Sequence, residues 1–483
     1  DHFPIIRKRI SQRYQHIYID EYQDATADVL NIFCDAVAGT SSKLYLFGDR
    51  MQQIYMNYDG RFEERFPLFD VIKMTTNYRS VTEIVDILNR LYHDPEFVQS
   101  NSDSMRLVRP DYLPRVIITK DVPEVLAKLQ EEEPDALVLY LFNRERFSAI
   151  GASNLYRAFS GMKKYSFGQK FSAVDVLTAS YEENPDPLLK LIYCVVRMEQ
   201  DYQRGLYGTV VQTLKSNKPM FSQDVCSINN HYDRIQLFHK LEMIFAAVRD
   251  ETKTVSDLLI SLLAAQITEQ AYVEDILADE EIKAVLEVPV VEVIRVLNYL
   301  DDPRVSTQHG VKGESHTSVI FVADDSTSNP VVHMHRFFDL LSQMPVSIQS
   351  FNEFFYEYTG ELVELQNIIK MKIGDLKRAD YRQYESEILH KATDIFKRFS
   401  DNPYFQQLCQ DKYMKYLNKP GVTNARECLT ESSVLGVLSA YKLFYVGCSR
   451  ARKNLTVLID ETKLQGDEAM QKEMFKRLGF CVE

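Results

Sequence analysis

Two short apolar runs, His16-Ile-Tyr-Ile19 and Leu44-Tyr-Leu-Phe47, each lead into a carboxylate: Asp20 directly after the first, Asp49 one glycine after the second. Short apolar strands separated by a helix-length segment predict a parallel α/β sheet. Open sheets of that kind bind ligands at the carboxyl ends of their strands, which is where both acids fall. Further strands are predicted at Val71 to Met74, Arg115 to Thr119 and Ala136 to Leu141, with a helix over Val81 to Tyr92. From about Ser148 to Leu300 the strand signal fades. Pro187 to Gln203, Tyr232 to Asp250 and Val255 to Leu277 carry apolar residues at three- and four-residue spacing, the pattern of a helical inserted domain. Strand-like sequence returns at Thr317 to Ala323 and at Leu455 to Ile459, with about a hundred residues of helical pattern between them.

Composition narrows the class. The 483 residues are 45% apolar, enough for packed cores and, at roughly 150 residues per domain, about three of them. Against 56 Lys and Arg stand 69 Asp and Glu, a net charge of −13, so the chain is not a polycation that coats nucleic acid at large; a locally basic groove is compatible with it. The longest apolar patch of a helical segment, around Leu258 to Ala265, is broken by Ser261 and falls far short of the roughly 20 residues that span a bilayer. No membrane anchor is expected. Seven scattered cysteines without a CxxC pair argue against a disulfide framework or a zinc ribbon and for a reducing, cytoplasmic setting. The chain opens at Asp1 in charged sequence, which reads as a piece lacking its N-terminal part.

Three segments carry chemistry. Asp20-Glu-Tyr-Gln-Asp24 puts adjacent acids at a strand end, where one can hold Mg²⁺ through water while the other polarises an attacking water; alone, such a pair is also an ordinary solvated or capping group. Gly48-Asp-Arg-Met-Gln-Gln-Ile-Tyr55 leaves the second strand through a glycine and offers an amide that could read a γ-phosphate. Thr76-Asn-Tyr-Arg-Ser80 joins an aromatic face to a guanidinium, suited to stacking a base and clamping a phosphate. His333-Met-His335 has no companion at metal-ligand spacing and reads as a surface pair. The mixed-charge stretch Glu361 to Arg398, with Lys370, Lys372, Lys377, Arg378 and Arg382 among Asp375, Asp380, Glu385 and Glu387, reads as a solvated helix face before a DNA-touching one.

In order and spacing these segments resemble motifs II, III and IV of superfamily 1 helicases of the UvrD/Rep type. Ser306-Thr-Gln-His-Gly-Val-Lys-Gly-Glu-Ser-His316 resembles motif V, and Leu443-Phe-Tyr-Val-Gly-Cys-Ser-Arg-Ala-Arg452 motif VI. The resemblance implies RecA-like P-loop NTPase lobes with parallel sheets plus a helical inserted domain: the end of a first lobe at 1–75, the start of a second at 76–147, the inserted domain at 148–300, and the rest of the second lobe at 301–483, itself interrupted by helices at about 327–435. It further implies ATP and Mg²⁺ as cofactors. Asp20 would hold the metal, Glu21 would be the general base, Gln52 the γ-phosphate sensor, and Arg79 and Arg450 arginine fingers. Tyr78 would stack on the base, with Lys312, Gly313 and Glu314 at the nucleotide. Tyr58, Thr307 and His309 would touch single-stranded or tailed DNA.

Three departures accompany these matches. No Gly-x-x-x-x-Gly-Lys-Ser/Thr occurs in the chain, so the phosphate-cradling loop is expected before Asp1, and the chain alone is expected to be inactive. Motif V shows the Gly-Glu-x-His pattern of one branch of the family in place of Gly-Leu-Glu. The chain has no tryptophan, which leaves Tyr58 as the aromatic nearest the usual stacking place, with Asn57 at the aligned position. The expected activity is ATP-dependent 3′ to 5′ movement on DNA with duplex unwinding. The alternatives are a non-unwinding translocase or regulatory ATPase of a phage-defence or recombination complex, and a non-catalytic DNA-binding module. The 327–435 insertion is a candidate partner-binding or DNA-clamping element, and its deletion is expected to spare ATP turnover.

Overall fold

The computed structural model describes residues 4–53, 62–166, 168–222, 228–307, 314–326 and 331–483. The chain divides into two compact units, Asp1–Leu141 with Gln308–Glu483, and Phe142–Thr307. Among the described residues the strands are β1 (His16–Ile19), β2 (Lys43–Leu46), β3 (Thr76–Asn77), β4 (Ser100–Asn101), β5 (Arg115–Thr119), β6 (Leu137–Tyr140), β7 (Val305–Thr307), β8 (His316–Ala323), β9 (Ala451–Asp460) and β10 (Cys481–Val482). The fold is mixed α/β, mostly helical, and its strand pairs within the first unit are parallel.

In the first unit β1 pairs with β2, Ile19 opposite Leu46, so both chains turn out of the sheet at the same edge. One side of this pair packs Ile19, Leu44 and Leu46 on Leu30 and Phe62; on the other, Tyr18 and Tyr45 stack at 4.8 Å. A larger sheet runs β10-β5-β9-β8-β6, with Val116 opposite Val457 and Ile320 opposite Thr456. Its central strands are nearly continuous apolar sequence because helices cover both faces. The strand expected at Val71 to Met74 is absent. Those side chains are exposed, and pairing begins only at Thr76, where Ser100 offers a partner edge. An apolar run becomes a strand only where a neighbour takes its backbone hydrogen bonds.

The Ser432–Ser449 helix is apolar on nearly every side and correspondingly buried. Phe337 and Phe338, from the helix Met334–Gln343, pack on its Tyr441 and Phe444 at 5.1 to 6.0 Å. The helices between β8 and β9 are therefore rooted in this core. Deleting them whole would strip that packing from the Ser432–Ser449 helix. The charged stretch within it is two helices, Ile348–Ile369 and Arg378–Phe399, parted where Lys370 takes the left-handed conformation at φ 55°.

The second unit is helical around its own core, with Pro187–Gln203 nearly surrounded. Glu292 is buried but accepts from the backbone N–H groups of Asn154 and Leu155, both at 2.9 Å, at the start of the helix Ser153–Ser160. The single helical stretch expected over Val255 to Leu277 is two helices, Val255–Ala264 and Gln270–Leu277. Gln266 turns left-handed between them, and Ile267 then accepts from the Ser222 N–H at 2.8 Å, a tertiary pairing that periodicity does not encode.

Candidate functional site

Asp20 and Glu21 leave the end of β1. Asp20 is exposed and its Oδ1 accepts from the Glu21 N–H at 2.9 Å. Glu21 sits at φ 50°, a conformation that costs a non-glycine residue on the order of 1 kcal/mol and recurs at functional sites. Gln23, almost fully buried, fixes it: the amide Nε2 donates to Glu21 Oε2, while Oε1 accepts from the Asp49 N–H at 3.2 Å. The two strand ends are thus tied through one side chain. Gly48 makes this possible, since a Cβ there would stand 2.0 Å from Gln23 Oε1 and 2.7 Å from the Tyr22 ring.

After Gly48 the chain forms one turn of 3₁₀ helix, Arg50–Gln52, capped by Asp49, whose Oδ1 accepts from the Met51 N–H at 2.9 Å. Its Oδ2 accepts from Gln52 Nε2 at 3.2 Å, which leaves Gln52 Oε1 to accept from Arg450 Nη2 at 3.2 Å. Arg450, at the end of the Ser432–Ser449 helix, is fully buried; its Nε and Nη1 donate to the carbonyls of Val446 and Glu314, each at 3.2 Å. Desolvation, with the nearby Arg79 cation, pushes its pKa down to about 10, against the pull of Glu21 and Asp49. The opposite holds for Asp49, where burial raises the carboxyl above its ordinary range despite the donors from Met51 and Gln52. The next glutamine, Gln53, accepts from the buried Lys442 Nζ at 2.7 Å, a second link between the same two segments.

Arg79 reaches this place through a polar turn. Asn77 Oδ1 accepts from the N–H groups of Arg79 and Ser80, both at 2.9 Å, and Ser80 Oγ donates to the Ala451 carbonyl at 2.7 Å. Burial, with Arg452 beside it, lowers the Arg79 pKa. Asn77 also donates to Gln99, and Gln99 to the Tyr445 hydroxyl at 3.1 Å. The result is an open cleft of about 470 Å³ lined by Asp49, Gln52, Tyr78, Arg79, Tyr445 and Arg452, among others. Tyr78 is exposed and offers a free ring face.

Of the residues singled out by sequence, Gln52, Tyr78 and Arg79 line this cleft, Arg450 bonds to Gln52, and Glu21 lies close enough to act on the charges of Asp49 and Arg450. Glu314 meets Arg450 through its backbone carbonyl, while its carboxylate faces the His316 ring at 3.3 Å. Thr307 belongs to the other unit and is buried. Tyr58, His309, Lys312 and Gly313 lie outside the described residues. Sequence reasoning assigned no role to Gln23, Asp49 or Arg452; the strand-end position shared with Asp20 was the available signal for Asp49. The donor set suits Mg²⁺, which takes one or two carboxylates and completes its octahedron with phosphate oxygens and water. Asp20, exposed beside Glu21, could supply one such carboxylate; no group of three or more His, Cys, Asp or Glu gathers there among the described residues.

Residues 2–63 match the family model of the UvrD/REP helicase N-terminal domain. The chain is 32% identical over 108 residues to DNA helicase II of Haemophilus influenzae, across 21% of this chain and 14% of that protein. It is 28% identical over 138 residues to Gabija protein GajB of Bacillus cereus strain VD045, 27% of this chain and 26% of that one. A broader match, 21% identical over 392 residues, joins it to GajB of strain HuB5-5, covering 70% of this chain and 54% of the relative. The chain is thereby identified as a relative of the UvrD-type superfamily 1 helicases. The matched stretches cover about half of those relatives' length or less. Among the described residues no helix is long and apolar enough to cross a membrane.

Proposed function

We propose that the cleft is the nucleotide site of an ATP-dependent DNA motor of the UvrD/Rep type, working 3′ to 5′ and built on RecA-like lobes, in the cytoplasm. The observation that carries this reading is that Asp49, Gln52 and Arg79, from segments far apart in sequence, line one pocket, with Arg450 bonded to Gln52 and Glu21 near enough to act on the charges of Asp49 and Arg450. Glu21, aimed by Gln23, holds and orients the attacking water as general base. Asp20 would hold Mg²⁺, which when bound would neutralise phosphate charge. Gln52, whose Oε1 accepts from Arg450, turns its Nε2 donor from Asp49 to a phosphate oxygen, so occupancy of the pocket reaches the Ser432–Ser449 helix through one side chain. Arg79 and Arg450 stabilise charge that develops on transfer. Arg450 is fully buried and Arg79 half-buried, which strengthens that interaction.

Tyr78 stacks on the base, Lys312, Gly313 and Glu314 complete the nucleotide contacts, and Tyr58 and His309 serve the DNA strand. The reading requires a phosphate-cradling loop from elsewhere in the intact protein, since the 483 residues contain none; taken by itself the chain would not turn ATP over. A second reading, a translocase or regulatory ATPase that does not unwind, draws on the match to GajB, which runs over 70% of the chain where that to helicase II covers 21%.

Strand separation on a duplex with a 3′ single-stranded tail, followed beside ATP hydrolysis by the intact protein, separates the readings. Unwinding with DNA-stimulated hydrolysis supports the helicase. Stimulated hydrolysis without unwinding selects the second reading, and DNA binding with no hydrolysis at all would leave a binding module.

A further inference from the structure

The charged insertion uses its cations in two ways. Where the helices Ile348–Ile369 and Arg378–Phe399 run side by side, Lys391 meets Glu361 at 2.5 Å and Glu364 at 2.6 Å, and Arg398 meets Glu357 at 3.3 Å and Glu361 as well. At the opposite end of the second helix, Arg378 and Arg382 make no ion pair or side-chain hydrogen bond among the described residues, and the same is true of Lys419. These three, with Lys415, line an open cleft of about 520 Å³ between the start of that helix and the end of the helix Gln410–Asn418. Beneath it lie the buried Tyr381 and Tyr416, hydroxyls 3.2 Å apart, which set the spacing of the two walls. Glu385 is the acid of the lining, and Lys415 is shared with the exposed Glu427 at 2.6 Å, a contact of little energetic weight.

Arg378 and Arg382 stand four apart, one helical turn, about 6 Å along the axis, and Lys415 in the last turn of the other helix is followed by Lys419 at its C-cap. A repeating row of cations fits a repeating row of anions better than it fits a single free one, and guanidinium forks suit phosphate oxygens. That three of these four cations, Arg378, Arg382 and Lys419, carry no ion pair among the described residues of a chain of net charge −13 is itself informative. We propose that this cleft binds the phosphodiester backbone of a nucleic-acid strand, as a contact separate from the motif-bearing pocket. The choice of a DNA strand rests on the motor reading above; the cleft and its charge do not. The simpler expectation of a solvated face then holds only for the paired end of the stretch.

The test uses the intact protein without nucleotide and a fluorescent oligothymidylate. Affinity is read across a salt series for wild type and for the triple variant Arg378→Ala, Arg382→Ala, Lys419→Ala, none of which touches the nucleotide pocket. The variant is expected to bind at least about 10-fold more weakly at low salt. The slope of log affinity on log salt should shrink by about 2, from about 0.7 per lost phosphate contact on a single strand. DNA-free ATP turnover should not change. As a second measurement, a photoreactive strand crosslinked to the wild type should map to 378–385 or 415–424, a result that does not depend on how the variant folds. An unchanged affinity and slope, or adducts only elsewhere, would overturn the proposal, as would a variant that binds DNA normally but loses an acidic protein partner. A wild type that crosslinks at the cleft yet hydrolyses no ATP would keep this site and remove the motor. Stimulated hydrolysis with an unaffected variant would do the reverse.

Discussion

Arg450 and Arg398 are the same side chain put to opposite uses. Arg398 lies half-exposed on the insertion, where Glu357 and Glu361 neutralise it across two helices. Arg450 is fully buried, and amide and main-chain carbonyls of Gln52, Val446 and Glu314 satisfy its donors. Burying a guanidinium costs several kcal/mol even after relaxation. A chain that only needed to join two segments would do so with apolar side chains. Charge at the surface of the insertion fastens helices, whereas charge at the cleft is kept against a desolvation penalty, as the proposed phosphate-stabilising role requires.

That contrast can be broken by substitution. The largest effect is expected for Arg450→Ala, which should lower ATP turnover of the intact protein by about 10³-fold or more in single-turnover hydrolysis, the scale of an arginine finger. Arg450→Lys should not rescue it, because a point charge cannot serve Gln52 and two carbonyls at once. Arg398→Ala should leave turnover unchanged. Next comes the root of the insertion. Phe338→Ala removes a fully buried ring packed on Phe444 and Phe475, and should cost about 3–5 kcal/mol in denaturant unfolding, so the insertion's base behaves as core.

Gly48→Ala should act on chemistry more than on stability. Its new methyl displaces Gln23 and with it Glu21, and displacement of about 1 Å at a reacting group can cost about 100-fold in rate. A variant with wild-type turnover would show that Gln23 does not aim Glu21. The smallest effect belongs to the surface pairing. Burial works against the Glu361 carboxylate, but Lys391 and Arg398 outweigh it and hold its pKa below the ordinary glutamate value of 4.5. Its contribution is present above that value and is lost as pH falls through the lowered one. Glu361→Gln should therefore cost about 1 kcal/mol at neutral pH and flatten the acid limb of the stability profile, measured as Tm against pH.

Much of this was legible in the sequence where local chemistry decides. The β5 run Arg115–Thr119 and the helix Pro187–Gln203 have the bounds their patterns predict, because each is long enough for its periodicity to dominate. The motif residues Gln52, Arg79 and Tyr78 line one cleft. What escaped depends on partners distant in the chain. Val71 to Met74 lacks a neighbouring strand, and the break at Gln266 answers to Ser222. Gln23 becomes the support of Glu21 only once β1 and β2 lie side by side, and the unpaired state of Arg378 and Arg382 appears only when the fold has assigned Lys391 and Arg398 their acids.

ATP binding and single-turnover hydrolysis by the intact protein and its Glu21→Gln variant, each with and without single-stranded DNA, bear most directly on the claim that this cleft is an ATP-hydrolysing site coupled to DNA. The account predicts that DNA accelerates hydrolysis by the wild type, and that the variant still binds ATP but hydrolyses it about 10²- to 10⁴-fold more slowly, as loss of a general base requires. A variant that hydrolyses ATP at the wild-type rate, or a wild type indifferent to DNA, would contradict it.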